Sequence, residues 1–227
     1  FRPQKPIFIG ICSVGIPAAI QNLLNVTGMT ILNNFTSSFG SDAVAAMGIS
    51  QKINMVPVQI ALGFSQGIMP LVSYNYASGN TMRMKKAILF SMRISLSFMA
   101  AVTLGYYIGA QPLVSLFIKD ATIVDYGSHF LQGFCLSMTF LCMDFIAVGV
   151  FQACGMGQKA LVFAILRKII LEIPALFILN WLFPLYGLAY AQFVAEAVLA
   201  IAAIIALFHI FKQTERRDNI GLKDKHM

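Results

Sequence analysis

The chain has 227 residues, of which 58% are hydrophobic and only 11% charged, and its mean hydropathy is +0.77. Soluble domains carry about 25% charged residues, so a chain this apolar cannot cover a water-facing surface and must take lipid as part of its solvent. The net charge of +7 gathers at the termini and in short polar breaks, which reads as a membrane-orientation signal and excludes a nucleic-acid patch.

A helix needs about 20 mostly apolar residues to cross a bilayer. Six segments qualify, at 7–38, 43–77, 86–109, 122–154, 158–182 and 187–211. They predict an all-α integral membrane protein, a six-transmembrane-helix bundle that crosses the cell membrane several times. The remainder, 212–227, is polar and charged and reads as a frayed or disordered cytoplasmic tail. The first, second and fourth segments are longer than a straight crossing requires, so they tilt, kink or protrude. Gly15-Ile16-Pro17 marks a kink in the first, and Pro57 and Pro70 mark bends in the second. The chain opens Phe1-Arg2-Pro3-Gln4-Lys5-Pro6 without an initiator Met, which reads as the middle of a longer protein. Counted on alternate sides of six spans, the basic residues of termini and breaks divide 11 against 1. The lone one is Lys119, and the excess puts both termini in the cytoplasm.

Polar groups inside apolar segments are costly against lipid and mark bundle interiors or water-filled paths. In the first segment Gln21, Asn25, Met29 and Asn33 recur every four residues, with Asn22 beside them, and so share one helix face. The stripe reads either as a cavity wall offering amide donors and acceptors or as interhelical hydrogen bonding that only holds the bundle together. In the second, Lys52, Gln59 and Gln66 share a face near Gln51, and Lys52 is expected to snorkel outward. In the fourth, Asp144 falls near mid-membrane with no basic residue on its own helix, and Ser137 and Phe140 lie on its face. Desolvation disfavours a charged carboxylate there, so the residue is a candidate to exchange a proton or hold a cation, the alternative being a structural, hydrogen-bonded acid. In the fifth, Lys168 and Glu172 are one turn apart and can pair, while Arg167 and Lys168 lie near enough to the cytoplasmic end to snorkel. In the sixth, Gln192 and Glu196 are one turn apart, and Glu196 is expected to face the interior.

Phe140 and Phe151 are candidates to meet an organic cation with their ring faces, against an ordinary packing role. The four cysteines lie in or beside apolar segments without a CxxC spacing, and the three histidines are far apart. Neither set predicts a metal site or a disulfide. No GxSxG, HExxH or phosphate-binding glycine motif occurs, and the chain does not read as an enzyme.

Two stretches carry a family likeness. The run Gly63-Phe64-Ser65-Gln66-Gly67-Ile68-Met69-Pro70-Leu71-Val72-Ser73-Tyr74-Asn75-Tyr76-Ala77-Ser78-Gly79-Asn80, followed by Arg83, resembles a helix end and cytoplasmic loop of the multidrug and toxic compound extrusion (MATE) family. Phe151-Gln152-Ala153-Cys154-Gly155-Met156-Gly157-Gln158-Lys159, followed by Leu166-Arg167 and Ile173-Pro174, resembles its later helix–loop–helix. Gly15-Ile16-Pro17 matches the start of the family's C-terminal lobe. The resemblance implies one six-helix lobe, helices seven to twelve of a twelve-helix transporter, whose N-terminal lobe lies outside this sequence. It implies export of small organic cations or drugs across a bacterial plasma membrane in exchange for H⁺ or Na⁺, by alternating access, with no other cofactor and with antibiotic resistance as a consequence. Asp144 falls close to an acidic position on the family's helix ten, whereas Asn25 stands near a helix-seven position that is acidic in some members. The expected substrate- and cation-binding residues are Gln21, Asn25, Gln59, Gln66, Phe140, Asp144 and Glu196. The competing readings are a lipid or oligosaccharide flippase of the same broad superfamily and a purely structural membrane bundle.

Overall fold

The computed structural model describes the backbone of residues 5–223 and the side chains of 7–214 apart from Val14. Arg2 and Lys225, which entered the orientation count, lie outside the described residues, as do the side chains of Lys5, Arg216, Arg217 and Lys223. Every regular element among the described residues is helical: α1 (Lys5–Ser37), α2 (Ser41–Ala77), α3 (Thr81–Ile108), the short α4 (Ala110–Ser115), α5 (Ala121–Ala153), α6 (Gly157–Ile165), α7 (Ile173–Leu182) and α8 (Gly187–Lys223). A π-helical segment, Leu166–Glu172, joins α6 to α7. Among the described residues five helices are long and apolar enough to cross a bilayer, namely α1, α2, α3, α5 and α8. The α6–π–α7 rod runs without a break from Gly157 to Leu182, over the stretch read from the sequence as the fifth segment.

Local capping carries several helices beyond the apolar segments read from the sequence. The side chain of Asn80 accepts from the Arg83 N–H at 3.2 Å and starts α3 at Thr81, so Arg83, Lys85 and Lys86 ride on its first turns and not in a loop. Likewise α8 continues past Phe211 to Lys223, where the sequence suggested a frayed tail. At the ends of α2 and α5 the chain turns through left-handed glycines, Gly79 (φ 72°) and Gly155 (φ 73°). In each turn the next N–H reaches five residues back, Asn80 to Asn75 O at 2.9 Å and Met156 to Phe151 O at 2.8 Å. These are the two loops that carried the family likeness.

The core is organised around α5, which packs against α2, α3 and α8. Between transmembrane helices close approach depends on small residues and on hydroxyls that find a carbonyl across the interface. Both devices occur here. Ser65 Oγ of α2 donates to Phe145 O at 2.6 Å, Ser50 Oγ to Gly127 O at 2.8 Å, and Thr103 Oγ1 of α3 to Cys135 O at 3.1 Å. A Cβ on Gly133 would stand 2.8 Å from that of Ala189 in α8, and one on Gly149 would collide with Ser65. Phe130, Phe134, Leu131, Met138, Ile146 and Phe151 complete the buried side of α5. By contrast α1 lies on the rim, chiefly against α6, with Leu23, Val26 and Ile16 exposed.

Candidate functional site

Between α1, α2, α5, the π segment and α8 lies a cavity of about 420 Å³. The stripe read from the first segment faces it: Gln21, Asn22, Asn25 and Met29 line it. Gln51, Asn54, Gln59 and Gln66 come from α2, Gln152 from α5 and Gln192 from α8. The polar part of the wall is thus largely primary amide, and each amide offers both donors and acceptors. Met29, Met55 and Met69 and the aliphatic Leu62 and Val148 fill the spaces between. Asn33 turns instead to α2, where its Oδ1 accepts from Gln51 Nε2 at 3.2 Å. Lys52 is exposed and does not line the cavity.

The charged groups gather at the back. Arg167, expected to snorkel, is 2% exposed and buried between three helices. Its Nη1 donates to Asp144 Oδ2 at 3.2 Å and lies 3.8 Å from Glu196 Oε1. Its Nη2 donates to Asn25 Oδ1 at 2.7 Å, and its guanidinium carbon stands 5.4 Å from the centre of the Phe145 ring. One side chain therefore ties together α1, α5, the π segment and α8. Asp144 lacks a basic partner on its own helix but receives one from the neighbouring rod, so the picture of an unpaired mid-membrane carboxylate is corrected. Lys168 is also buried, and its Nζ donates to both oxygens of Glu172 at 2.6 Å, the pair expected from their spacing. Gly28 of α1 leaves room for this, since a Cβ there would stand 3.2 Å from Lys168 Nζ.

The local backbone explains how Arg167, Lys168 and Glu172 all turn inward. Pro174 has no N–H and its ring presses on the carbonyl four residues earlier, which an unbroken α-helix does not accommodate. The chain widens instead into a π segment, and the Ile173 N–H reaches Lys168 O, five residues back. Such widened turns recur at functional sites because they re-aim side chains that a regular helix would point outward.

Of the seven residues expected at the site, Gln21, Asn25, Gln59, Gln66 and Glu196 line the cavity. Asp144 sits just behind it, joined through Arg167. Phe140 does not belong to it. The cavity stripe of α5 runs through Leu141, Phe145, Val148 and Gln152, and Phe140 lies about 100° round the helix from Leu141, packed edge-on against Phe193 of α8 at 5.7 Å. Phe151 is likewise fully buried, against Phe163.

The MatE family model matches residues 17–178. The multidrug export protein MepA of Staphylococcus saprophyticus is 34% identical over 209 residues, covering 91% of this chain and 46% of that protein. MepA of Staphylococcus aureus is 34% identical over 211 residues with the same coverage. The chain thus spans about half the length of the curated relatives it matches. Among solved structures, a multidrug resistance MATE family transporter of the MOP superfamily in its outward-facing conformation superposes with a TM-score of 0.89 at 20% identity, over 95% of this chain and 49% of that one. The Vibrio cholerae MATE transporter VcmN in its bent form gives 0.83 at 20% identity, over 92% and 47%. At such identity these two show the fold alone: this bundle has the architecture of half a MATE transporter. With the family model covering most of its length and relatives of one-third identity spanning nearly all of it, the chain belongs to the MatE family of membrane transport proteins and is not an enzyme.

Proposed function

We propose that this chain forms one lobe of a multidrug or organic-cation exporter driven by ion-coupled antiport. The observation that carries the reading is the amide- and methionine-lined cavity with acidic groups at its back. A volume of about 420 Å³ suits a drug-sized ligand. Amides that both donate and accept, together with adaptable thioethers, serve a site that takes many ligands better than one that takes a single shape. The charged residues of the site are Asp144, Glu172, Glu196, Arg167 and Lys168. Their balance is one negative charge in excess when all are ionised, which favours a cation. MepA relatives are named as multidrug exporters, in keeping with this.

A flippase for anionic lipid-linked substrates would want basic groups ready for phosphate. The two cations that line this cavity, Arg167 and Lys168, are both engaged by carboxylates. Alternating access needs a second wall, contributed by the N-terminal lobe, and the coupling ion biases one arrangement of the lobes. The excess of basic residues on one set of breaks supports a reading in which both chain ends lie on the cytoplasmic side of the bacterial plasma membrane.

Reconstitution of the full-length transporter tests the function. Export of a fluorescent organic cation such as ethidium should follow an imposed proton or sodium gradient, and Asp144→Asn should reach the membrane yet lose the dependence on that gradient. Full-length protein that moves no organic cation under either gradient would overturn the reading. Orientation is checked separately by labelling Ser41→Cys and Ser78→Cys in a background without Cys12, Cys135, Cys142 and Cys154. An impermeant thiol reagent outside intact cells should reach position 41 and spare position 78.

A further inference from the structure

The antiport reading leaves the coupling ion as H⁺ or Na⁺, and the geometry around Arg167 separates the two. Glu172 is neutralised by Lys168 through two hydrogen bonds, so this pair is closed in itself. What remains is one guanidinium facing two carboxylates, Asp144 from α5 and Glu196 from α8, all three almost wholly buried. The other group bonded to the cluster, Asn25 of α1, is neutral, as are the Gln59, Gln66 and Gln192 amides elsewhere in the cavity wall. The charged residue of α6, Lys159, is exposed at its start. The cluster therefore carries one uncompensated negative charge, which a low-dielectric surrounding resists.

The two acids are not equivalent. Asp144 holds a direct hydrogen bond from Arg167 at 3.2 Å, whereas Glu196 stands at 3.8 Å; each acid keeps one buried oxygen, Asp144 Oδ1 and Glu196 Oε2, without a hydrogen-bond partner among the described residues. Glu196 also lines the cavity, and Asp144 does not. A metal cation bridging the acids would need the point between them and several oxygen ligands around it. That point is taken by the Arg167 guanidinium, which Asn25 fixes from the other side at 2.7 Å.

We infer that this lobe takes a proton, not a metal cation, as its coupling ion, that Glu196 is the group that carries it, and that Arg167 is a tethered counter-cation occupying the place where Na⁺ would sit. A hydronium in the cavity gives its proton to the Glu196 carboxylate, forming the O–H bond, and leaves as water. The cluster is then neutral, with Arg167 paired to Asp144 alone. An organic cation entering the cavity restores the advantage of ionised Glu196, and the proton returns to water. Proton and substrate thus alternate through one carboxylate.

The inference rests on the antiport reading above, and the same vesicles distinguish the two. With the full-length transporter in Na⁺-free potassium salts, an imposed pH gradient should drive ethidium transport, and in a second set of vesicles at equal pH a Na⁺ gradient should not. Glu196→Gln should lose the pH-driven component, and Glu196→Asp should keep part of it. Transport driven by Na⁺ alone, or full pH-driven transport by Glu196→Gln, overturns the proton site while leaving antiport standing. Wild-type vesicles that transport under neither gradient overturn antiport and this inference with it. A measurement on unmodified protein guards against a variant that fails to fold. In detergent and weakly buffered Na⁺-free solution, ethidium binding to the wild type should release protons to the medium, and binding without release contradicts the assignment.

Discussion

Helices α5 and α1 are close in length and apolarity, yet 78% of the most apolar window of α5 is buried inside the bundle and only 6% of that of α1. Composition does not separate them; the grain of the sequence does. Glycines at 127, 133 and 149 leave α5 open to close approach, and hydroxyls from α2 and α3 bond its carbonyls directly. α1 carries an amide stripe facing the cavity and aliphatic residues facing outward, and Arg167 is the main polar tie that holds it to the rest. The core helix is fixed by packing and the wall helix by fewer contacts, several of them polar.

Substitutions can break that contrast in order of size. Arg167→Met removes the shared partner of both regions and leaves Asp144 and Glu196 buried without a counter-ion. Breaking such a pair costs about 3–5 kcal/mol, to be read as a large drop in thermal stability of the purified full-length protein. Retention of wild-type stability would mean that water reaches the cluster freely. Next comes a matched pair of glycines. Gly133→Leu drives a side chain into Ala189 and should cost about 1–3 kcal/mol or more by overpacking. On α1 a Cβ added at Gly10 meets nothing within 4 Å, and Gly10→Leu should change stability by less than about 0.5 kcal/mol. Equal losses at the two positions would erase the distinction between core and wall. Smallest is Gln21→Ala, a half-buried member of the stripe, which should leave stability within about 0.5 kcal/mol while weakening the binding of an organic cation. A change in stability without a change in binding would make the stripe mere helix-to-helix glue.

Much of this was legible before any coordinates. The five helices of membrane length follow from apolar length, and the α1 wall of the cavity follows from amides recurring every four residues. The inward turn of Glu196 follows from the expense of a carboxylate against lipid. Arg167 escaped because its partners are not local. Asp144 lies 23 residues away on another helix, so spacing along the rod suggested a route to the surface instead. The π segment that re-aims Arg167 is foreshadowed only by Pro174, whose effect on the preceding turn has several possible outcomes. Phe140 was misplaced by a single step round the helix: it shares a face with Asp144, but that face looks to α8 and the rod rather than to the cavity. Hydropathy also understated α3 and α8, since charged turns beyond the membrane add helix without adding apolar length.

The central claim is that the amide-lined cavity holds the exported cation, and protection of an engineered thiol tests it most directly. In full-length protein lacking native cysteines, Gln59→Cys places a thiol on the cavity side of α2, and Ile60→Cys places one about 100° round the helix, outside the cavity and exposed. Ethidium should slow the reaction of a thiol reagent at position 59 and leave the rate at position 60 unchanged. Equal rates at position 59 with and without ethidium, under conditions where the cation is bound, would show that the substrate site lies elsewhere.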